Sequence, residues 1–173
     1  MSFGRYVAPI LLMMSLSWPL SALESDSQQP VYIEANSAFY DEKTDRSTYL
    51  GNVVLIQGSL KVLSDKMVAY SPGGEVEKVV CYGKPVRFWQ KPKPDDEEIH
   101  GTSKQAEYYL DKEIIVLIGD AVVWQGTNKY TSERIEYDQA NGTIKAGEAK
   151  SDTKRVKIIL HPKNNDASQQ PKQ

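Results

Sequence analysis

The sequence contains a single cysteine, Cys81, among 173 residues, so the chain cannot form an internal disulfide. A protein of this size without disulfides depends on its hydrophobic core or on partner proteins for stability. We expect Cys81 to be a buried strand residue and not a reactive thiol.

Residues in catalytic or metal-binding spacings are also scarce. The two histidines, His100 and His161, are far apart and fit no metal-ligand motif. The acidic run from Asp95 to Glu98 could suggest a cation site, but it follows two prolines and is typical of a solvated loop. No nucleophile with a neighbouring base and no phosphate-binding glycine loop is recognisable. The sequence therefore predicts a protein that is not an enzyme and that uses no cofactor or metal.

Long apolar runs are absent except near the N-terminus. The run from Val7 to Leu20 has 14 residues, fewer than the about 20 that a membrane-spanning helix needs. Arg5 precedes it, and Leu20-Ser21-Ala22 offers a small-residue cleavage site. We expect residues 1–22 to be a cleaved signal peptide, with an uncleaved anchor as the alternative.

The remaining chain has little net charge. Removing Arg5 from the 21 basic residues leaves 20 against 23 acidic ones, a net charge near −3. This balance predicts no affinity for nucleic acid. By size the chain is one domain. We expect a mobile arm at residues 23–29, a β-domain at residues 30–161 and a disordered polar tail at residues 162–173.

Helical periodicity is absent as well, and what the chain does contain is a strand pattern. Short β-branched and aromatic segments fill the chain from Val31 to Leu160, separated by Gly, Pro, Asn and Asp. Turn signals occur at Ser71–Gly74, at Asp111–Lys112 and at Asn141–Gly142. The sequence therefore predicts an all-β, antiparallel fold.

An internal repeat organises these strands. The segment Gly51–Gly58 returns 68 positions later as Gly119–Gly126, and a shorter copy begins at Gly83. A second strand-like run follows each full copy, at Lys61–Tyr70 and at Lys129–Tyr137. Such ribbons are expected to stack into a body whose two end strands have unpaired edges.

Comparison of the copies predicts which face is buried. Side chains alternate across a strand, so equivalent positions should share a face. The glycine segments have apolar residues at Val54/Ile56, Val86/Phe88 and Val122/Trp124. A second set of four similar segments has apolar or aromatic residues at Ala38/Tyr40, Met67/Ala69, Ala106/Tyr108 and Ile135/Tyr137. We expect these residues to form one continuous inner face, although an ordinary core would show the same pattern. The alternation slips between Ile33 and Ala38, where a bulge or a register error is expected.

Several segments carry a resemblance to a known family. They are Gln29–Glu34, the first glycine segment with Ser64-Asp65-Lys66, Pro72–Glu75, Tyr82–Phe88 and Lys154-Arg155-Val156. Together, and in this order, they resemble the OstA family of periplasmic lipopolysaccharide-transport proteins. The resemblance implies an open antiparallel β-jellyroll of stacked ribbons, bent into a V, that holds lipid A acyl chains between its walls. It also implies a role in the periplasm as a bridge between the inner and the outer membrane.

The resemblance further implies that Val31, Ile33, Phe88, Tyr108 and Leu110 line the lipid path. Together with the inner face, the predicted lipid-binding set is Val31, Ile33, Tyr40, Val54, Ile56, Met67, Val86, Phe88, Ala106, Tyr108, Leu110, Val122, Trp124, Ile135 and Tyr137.

Partners are implied at the two sheet edges. The strand from Val31 to Ala35 would face the inner-membrane protein LptC, and the strand from Arg155 to Leu160 would face the outer-membrane protein LptD. The same two edges would allow a head-to-tail homo-oligomer. The predicted edge residues are Val31, Tyr32, Ile33, Val156, Ile158 and Leu160.

Two other functions fit the residue pattern. One is a soluble periplasmic carrier or chaperone that holds another apolar ligand in a closed β-barrel, which requires the first and last strands to pair. The other is an assembly module of the cell envelope whose apolar face is only a core.

Overall fold

The structure is a computed structural model that describes residues 26–91, 96–147 and 155–162. The predicted signal peptide and residues 163–173 of the predicted tail lie outside the described residues. Ten strands are present in the described ranges: β1 (Tyr32–Glu34), β2 (Ser37–Asp41), β3 (Arg46–Gln57), β4 (Leu60–Tyr70), β5 (Lys78–Gln90), β6 (Ile99–Tyr109), β7 (Ile114–Gln125), β8 (Asn128–Asp138), β9 (Thr143–Ala146) and β10 (Lys157–Ile159). Two 3-10 turns, Asp26–Gln28 and Pro72–Gly74, complete these ranges, which contain no α-helix and hence no helical membrane span.

The strands form one antiparallel sheet, in agreement with the predicted fold class. Its order is β1-β3-β4-β5-β6-β7-β8-β10, while β2 also pairs with β3 and β9 also pairs with β8. The turns predicted at Ser71–Gly74, Asp111–Lys112 and Asn141–Gly142 all connect neighbouring strands. Each strand from β2 to β9 therefore pairs with its neighbours along the chain within that range, as expected for stacked ribbons.

A line of register irregularities crosses the six long strands β3 to β8 and divides the sheet into two walls. We call this the bulge line. Gly51 and Asn52 on β3 adopt left-handed φ angles of 80° and 47°, and Gly119 and Asp120 on β7 adopt 81° and 49°. A Cβ atom on Gly51 would lie 2.6 Å from the Asn36 side chain, so this position requires glycine for space as well as for conformation. The repeated Gly-Asn and Gly-Asp pairs thus mark sites of bending.

Each wall contains eight strand segments. Wall one comprises residues 32–34, 53–57, 60–64, 86–90, 99–103, 121–125, 128–132 and 157–159. Wall two comprises residues 37–41, 46–50, 66–70, 78–82, 105–109, 114–118, 134–138 and 143–146. We call the opposite border, where the hairpin ends of the two walls meet, the mouth.

The irregularity expected between Ile33 and Ala38 is a break between two strands. Ile33 belongs to β1 in wall one, and Ala38 belongs to β2 in wall two. Between them the backbone N–H of Asn36 donates to the carbonyl of Gly51 over 2.9 Å. The chain therefore crosses from one wall to the other at this point, next to the bulge line.

The core lies between the walls and is built from unbroken cross-strand rows. In wall one the inward row is Ile33, Leu55, Val62, Phe88, Gly101, Val123, Tyr130 and Ile158. In wall two it is Ala38, Tyr49, Met67, Cys81, Ala106, Leu117, Ile135 and Ala146. Central members of both rows are at most 5% exposed. Each row spans eight strands without a charged side chain.

The predicted inner face is wrong at the two outer glycine segments. Val54 and Ile56 on β3 face outward, while their neighbours Val53 and Leu55 are buried. Likewise Val122 and Trp124 on β7 are outward positions, paired with Thr102 and His100, while Ala121 and Val123 are buried. The middle segment was predicted correctly, because Val86 and Phe88 are buried.

The cause is a difference in bulge size. Between Leu50 and Val53, β3 takes three steps against two on β4 (Lys66 to Ser64), an excess of one residue. Between Tyr82 and Val86, β5 takes four steps against two on β6 (Gln105 to Ser103), an excess of two. One additional residue reverses the alternation, so alignment on the glycines placed the middle segment out of phase with the other two.

Candidate functional site

The interior brings together most of the residues predicted to contact lipid. Ten of the fifteen lie between the walls: the buried residues Met67, Val86, Phe88, Ala106, Tyr108, Ile135 and Tyr137, and the partly buried residues Val31, Ile33 and Leu110. Tyr40 lies on the inward face of β2, level with the buried Ala69 in the cross-strand register, but it is 58% exposed because β2 is an edge strand. Val54, Ile56, Val122 and Trp124 do not reach the interior.

The outward position of Trp124 is stabilised by neighbours on the outer face of wall one. The rings of Trp124 and His100 stack with centroids 5.0 Å apart, and the Lys129 Nζ lies 5.3 Å from the Trp124 ring centroid. Cation–π and stacking contacts of this kind suit a half-exposed indole. Trp124 is thus part of an external aromatic and cationic row and not of the lipid path.

The face comparison missed several interior residues. They are Val53, Leu55, Leu60, Val62, Val79, Leu117, Ala121 and Val123. Val53, Leu55, Ala121 and Val123 alternate with the residues predicted to face inward, and Arg87 occupies the corresponding position in the middle segment. Both faces of the two outer segments are apolar, so their alternation alone does not identify the buried face.

The two walls are in contact in this structure. A Cβ atom placed on Gly101 of wall one would lie 2.4 Å from Phe88 Cε1 and 3.2 Å from Leu117 Cδ1 of wall two. The interior is therefore filled by side chains that pack between the walls.

The mouth is polar, in contrast to the interior. Gln57 and Gln90, at the ends of β3 and β5, are 2% and 3% exposed. The Tyr108 hydroxyl donates to Gln57 Oε1 over 3.0 Å, and Gln139 Nε2 donates to Gln90 Oε1 over 3.0 Å. Burial, reinforced by the Glu113 and Asp26 carboxylates, raises the pKa of Tyr108, so its hydroxyl remains a neutral donor. Both bonds join wall one to the mouth side of wall two.

Residues 26–29 also lie at the mouth, where the sequence predicted a mobile arm. They form a 3-10 turn whose Asp26 side chain accepts hydrogen bonds from Ser59 N over 2.7 Å and from Gln90 Nε2 over 2.9 Å. A polar composition does not reveal these partners, which are 33 and 64 residues away in the sequence.

A cavity of about 350 Å³ opens at the other half of the mouth. Gln125, Tyr137, Gln139, Asp96 and Glu97 are among its lining residues. Burial, with nearby carboxylates, raises the pKa of Tyr137 to about 12. Its hydroxyl is buried and has no hydrogen-bond partner among the described residues.

Exposed apolar side chains are concentrated at the two ends of the sheet. Of ten large hydrophobic residues exposed in the described ranges, Tyr32, Phe39, Tyr40 and Leu50 lie at the β1/β2 end, and Val156, Ile158, Ile159 and Leu160 lie at the β10 end. β1, β2, β9 and β10 each pair with one strand only. Both ends of the sheet therefore combine free backbone edges with apolar surface.

Reactive chemistry is sparse in the parts of the chain that the structure covers. No group of three or more potential metal ligands occurs there. Cys81 is buried, and burial raises the pKa of its thiol to about 12, so the thiolate is not populated near neutral pH.

Fold and interior together define the class of protein: an open antiparallel β-jellyroll with an apolar interior between two walls and a free strand edge at each end. The family model described as LptA/(LptD N-terminal domain) LPS transport protein matches residues 32–143. The chain belongs to this family.

Individual relatives agree with this assignment. The chain is 32% identical over 170 residues to the lipopolysaccharide export system protein LptH of Pseudomonas aeruginosa, covering 92% of this chain and 97% of the relative. It is 33% identical over 164 residues to the lipopolysaccharide export system protein LptA of Escherichia coli K12, covering 94% of this chain and 86% of the relative. The crystal structure of P. aeruginosa LptH superposes with a TM-score of 0.74 at 31% identity, covering 80% of this chain and all of that chain.

Proposed function

We propose that this protein carries lipopolysaccharide across the periplasm, with the acyl chains of lipid A held between the two walls, and delivers it to the outer-membrane translocon. The single observation that carries the proposal is the inward row of wall one, which is apolar on all eight strands from Ile33 at one free edge to Ile158 at the other. The names of the relatives, which are lipopolysaccharide export proteins, support the choice of cargo.

The energetics of lipid transfer favour such a path. Each buried methylene is worth about 0.8 kcal/mol, so a twelve-carbon acyl chain costs ~10 kcal/mol to expose to water. A continuous apolar row lets the chains advance along the protein without exposure. In this proposal the protein makes and breaks no covalent bonds, and the energy for movement comes from elsewhere.

Continuation of the path into partners would use the free edges. Ile158 is 53% exposed although it belongs to the inward row, because β10 is an edge strand that pairs with β8 on one side. A partner strand added to β10 would extend wall one and cover this residue. The proposal therefore assigns β1 to an inner-membrane partner of the LptC type and β10 to an outer-membrane partner of the LptD type, and head-to-tail copies would join the same edges.

The alternative of a closed barrel is not favoured by the sheet order. In a closed barrel β1 and β10 would pair with each other, whereas here β1 pairs with β3 and β10 with β8. An open sheet fits a bridge better than a sealed carrier.

The proposal can be tested with pairs of adjacent residues whose side chains lie on opposite faces of the sheet. A photo-crosslinking amino acid at the inward position 88 should label lipopolysaccharide in cells, whereas the same amino acid at the outward position 87 should not. A second matched pair is position 55, which should label, and position 54, which should not. Equal labelling within both pairs, or none at positions 88 and 55, would contradict the proposal.

A further inference from the structure

Residues 26–29 connect to both walls at one half of the mouth, and we name this segment the strap. On wall one, Asp26 accepts hydrogen bonds from the backbone N–H of Ser59 and the side chain of Gln90. On wall two, the Ser27 hydroxyl donates to Glu113 Oε1 over 2.6 Å. The strap therefore closes the gap between the hairpin ends of the two walls.

The buried amide of Gln57 makes this closure depend on the strap. Its Nε2 donates to the carbonyls of Ser27 and Gln29, each over 3.1 Å, and its Oε1 accepts from Tyr108. A buried amide without partners is costly. If the strap left, Gln57 would require water, so strap release and wetting of the mouth are coupled.

The internal repeat allows the two halves of the mouth to be compared, and among the described residues the second half has no strap. Gln125 corresponds to Gln57 in the second glycine segment, 68 residues later. Tyr137 corresponds to Tyr108, and each is a buried residue near the end of its strand. Instead of a strap, that half of the mouth has the 350 Å³ cavity and a Tyr137 hydroxyl without a partner among the described residues. The strap therefore fastens one half of the mouth, whereas the Gln139–Gln90 hydrogen bond joins the walls at the other half.

We propose that the strap is a gate: the interior takes up an acyl chain along its whole length only after residues 26–29 detach from Gln57, Ser59 and Gln90. This inference rests on the proposed function, because it assumes that acyl chains enter between the walls. The polar contacts suit a reversible gate, since water can replace each of them, whereas an apolar seal would have to be exposed. The fastened half lies beside β1, so gating acts at the end of the path assigned to the inner-membrane side.

A reversible crosslink tests the gate. The variant Asp26→Cys with Ser59→Cys replaces two side chains that are in contact and allows the strap to be locked by oxidation. The Cys81 thiol is buried and its pKa is raised, so it should not take part in thiol–disulfide exchange with the two introduced cysteines. With fluorescently labelled lipopolysaccharide as the probe, the oxidised protein should take up less lipid than the reduced protein, and reduction should restore full uptake.

The opposite change should open the gate. Asp26→Ala removes the hydrogen bonds that the carboxylate accepts from Ser59 and Gln90, so uptake should be about tenfold faster or more. Asp111→Ala, which removes an exposed carboxylate from the neighbouring β6–β7 turn, should leave the rate unchanged. Equal uptake by the oxidised and reduced proteins would overturn the gate and leave the groove intact.

A lipid-free readout separates the two proposals. If no form of the protein takes up lipid, the proposed function fails, and the gate is then judged by the distance between spin labels at the exposed positions 28 and 112. In Asp26→Ala this distance distribution should broaden and lengthen. An unchanged distribution would overturn the gate independently of lipid binding.

Discussion

At the scale of single residues, the interior depends on a few close contacts between unlike side chains. Gly101 faces inward between Phe88 and Leu117, in a row where the other seven members carry side chains. Because Gly101 has no Cβ atom, the Phe88 ring can occupy the space beside it. Fully packed cores tolerate neither loss nor gain of volume, so substitutions at Gly101 and Phe88 measure how tightly the interior is packed.

Adding one methyl group at this position should destabilise the protein. In Gly101→Ala the new Cβ would lie 2.4 Å from Phe88 Cε1 and 2.8 Å from the Val122 carbonyl oxygen. Because the second contact is to backbone, we expect a loss of about 1–3 kcal/mol in the free energy of unfolding. Urea denaturation followed by circular dichroism would measure it.

A smaller partner should relieve part of this loss. Adding Phe88→Leu to Gly101→Ala should cost less than the sum of the two single substitutions, because the shorter side chain gives the new methyl group space. Strictly additive losses would show that the ring and the glycine do not limit each other.

At the scale of strands, the bulges and the short edge strands have different roles. Bulges bend β3 to β8 and thereby create two walls from one sheet, while the short edge strands leave pairing groups and apolar side chains free. Natural sheets normally protect such edges with charge or proline. An edge that is apolar instead is typical of a binding surface.

Edge charge should therefore prevent association while sparing the fold. Ile158→Lys places a charge on β10, whose only partner strand is β8, and should abolish head-to-tail self-association. The matched control is Ile56→Lys on β3, which is also exposed, at 41%, but lies inside the sheet between β1 and β4. Sedimentation velocity over a concentration series would measure both.

The two variants must behave differently for this interpretation to stand. Loss of self-association in both would indicate a general effect of charge, and retention in Ile158→Lys would exclude β10 as the joint. Circular dichroism should show that both variants keep the β-fold.

At the scale of the whole molecule, the sheet bends at the bulge line and has polar contacts between its walls at the mouth. The walls touch in the structure, so the proposed binding of acyl chains between them requires the walls to part. The backbone pairing runs along the sheet and not across the interior, so separation of the walls breaks no strand pairing.

Spin labels on the two hairpin ends should report this separation. Labels at the exposed positions 112 of wall two and 127 of wall one should move apart by several ångströms when lipopolysaccharide is added. Labels at positions 61 and 127, both on wall one, should keep their distance. Pulsed dipolar spectroscopy would measure both pairs, and an unchanged distance between 112 and 127 in the lipid-bound protein would contradict opening at the mouth.

Strands, turns and the repeat could be predicted from the sequence because they depend on residue types that are close together in the chain. Gly-Asn, Gly-Asp and Asn-Gly pairs favour left-handed backbone conformations, and alternating apolar residues form strands wherever they occur. The buried positions Phe88, Tyr108 and Ile135 followed from the same alternation. Those parts of the interior needed no knowledge of distant contacts.

By itself the sequence determined an all-β chain of repeated ribbons, its family and part of its apolar interior, since these follow from periodicity and residue type. Only the tertiary structure decided the phase of the outer glycine segments, because a bulge of one residue or of two gives opposite faces to similar sequences. It alone also placed residues 26–29 across the mouth, because the partners of Asp26 and Ser27 lie on strands and turns that folding brings together.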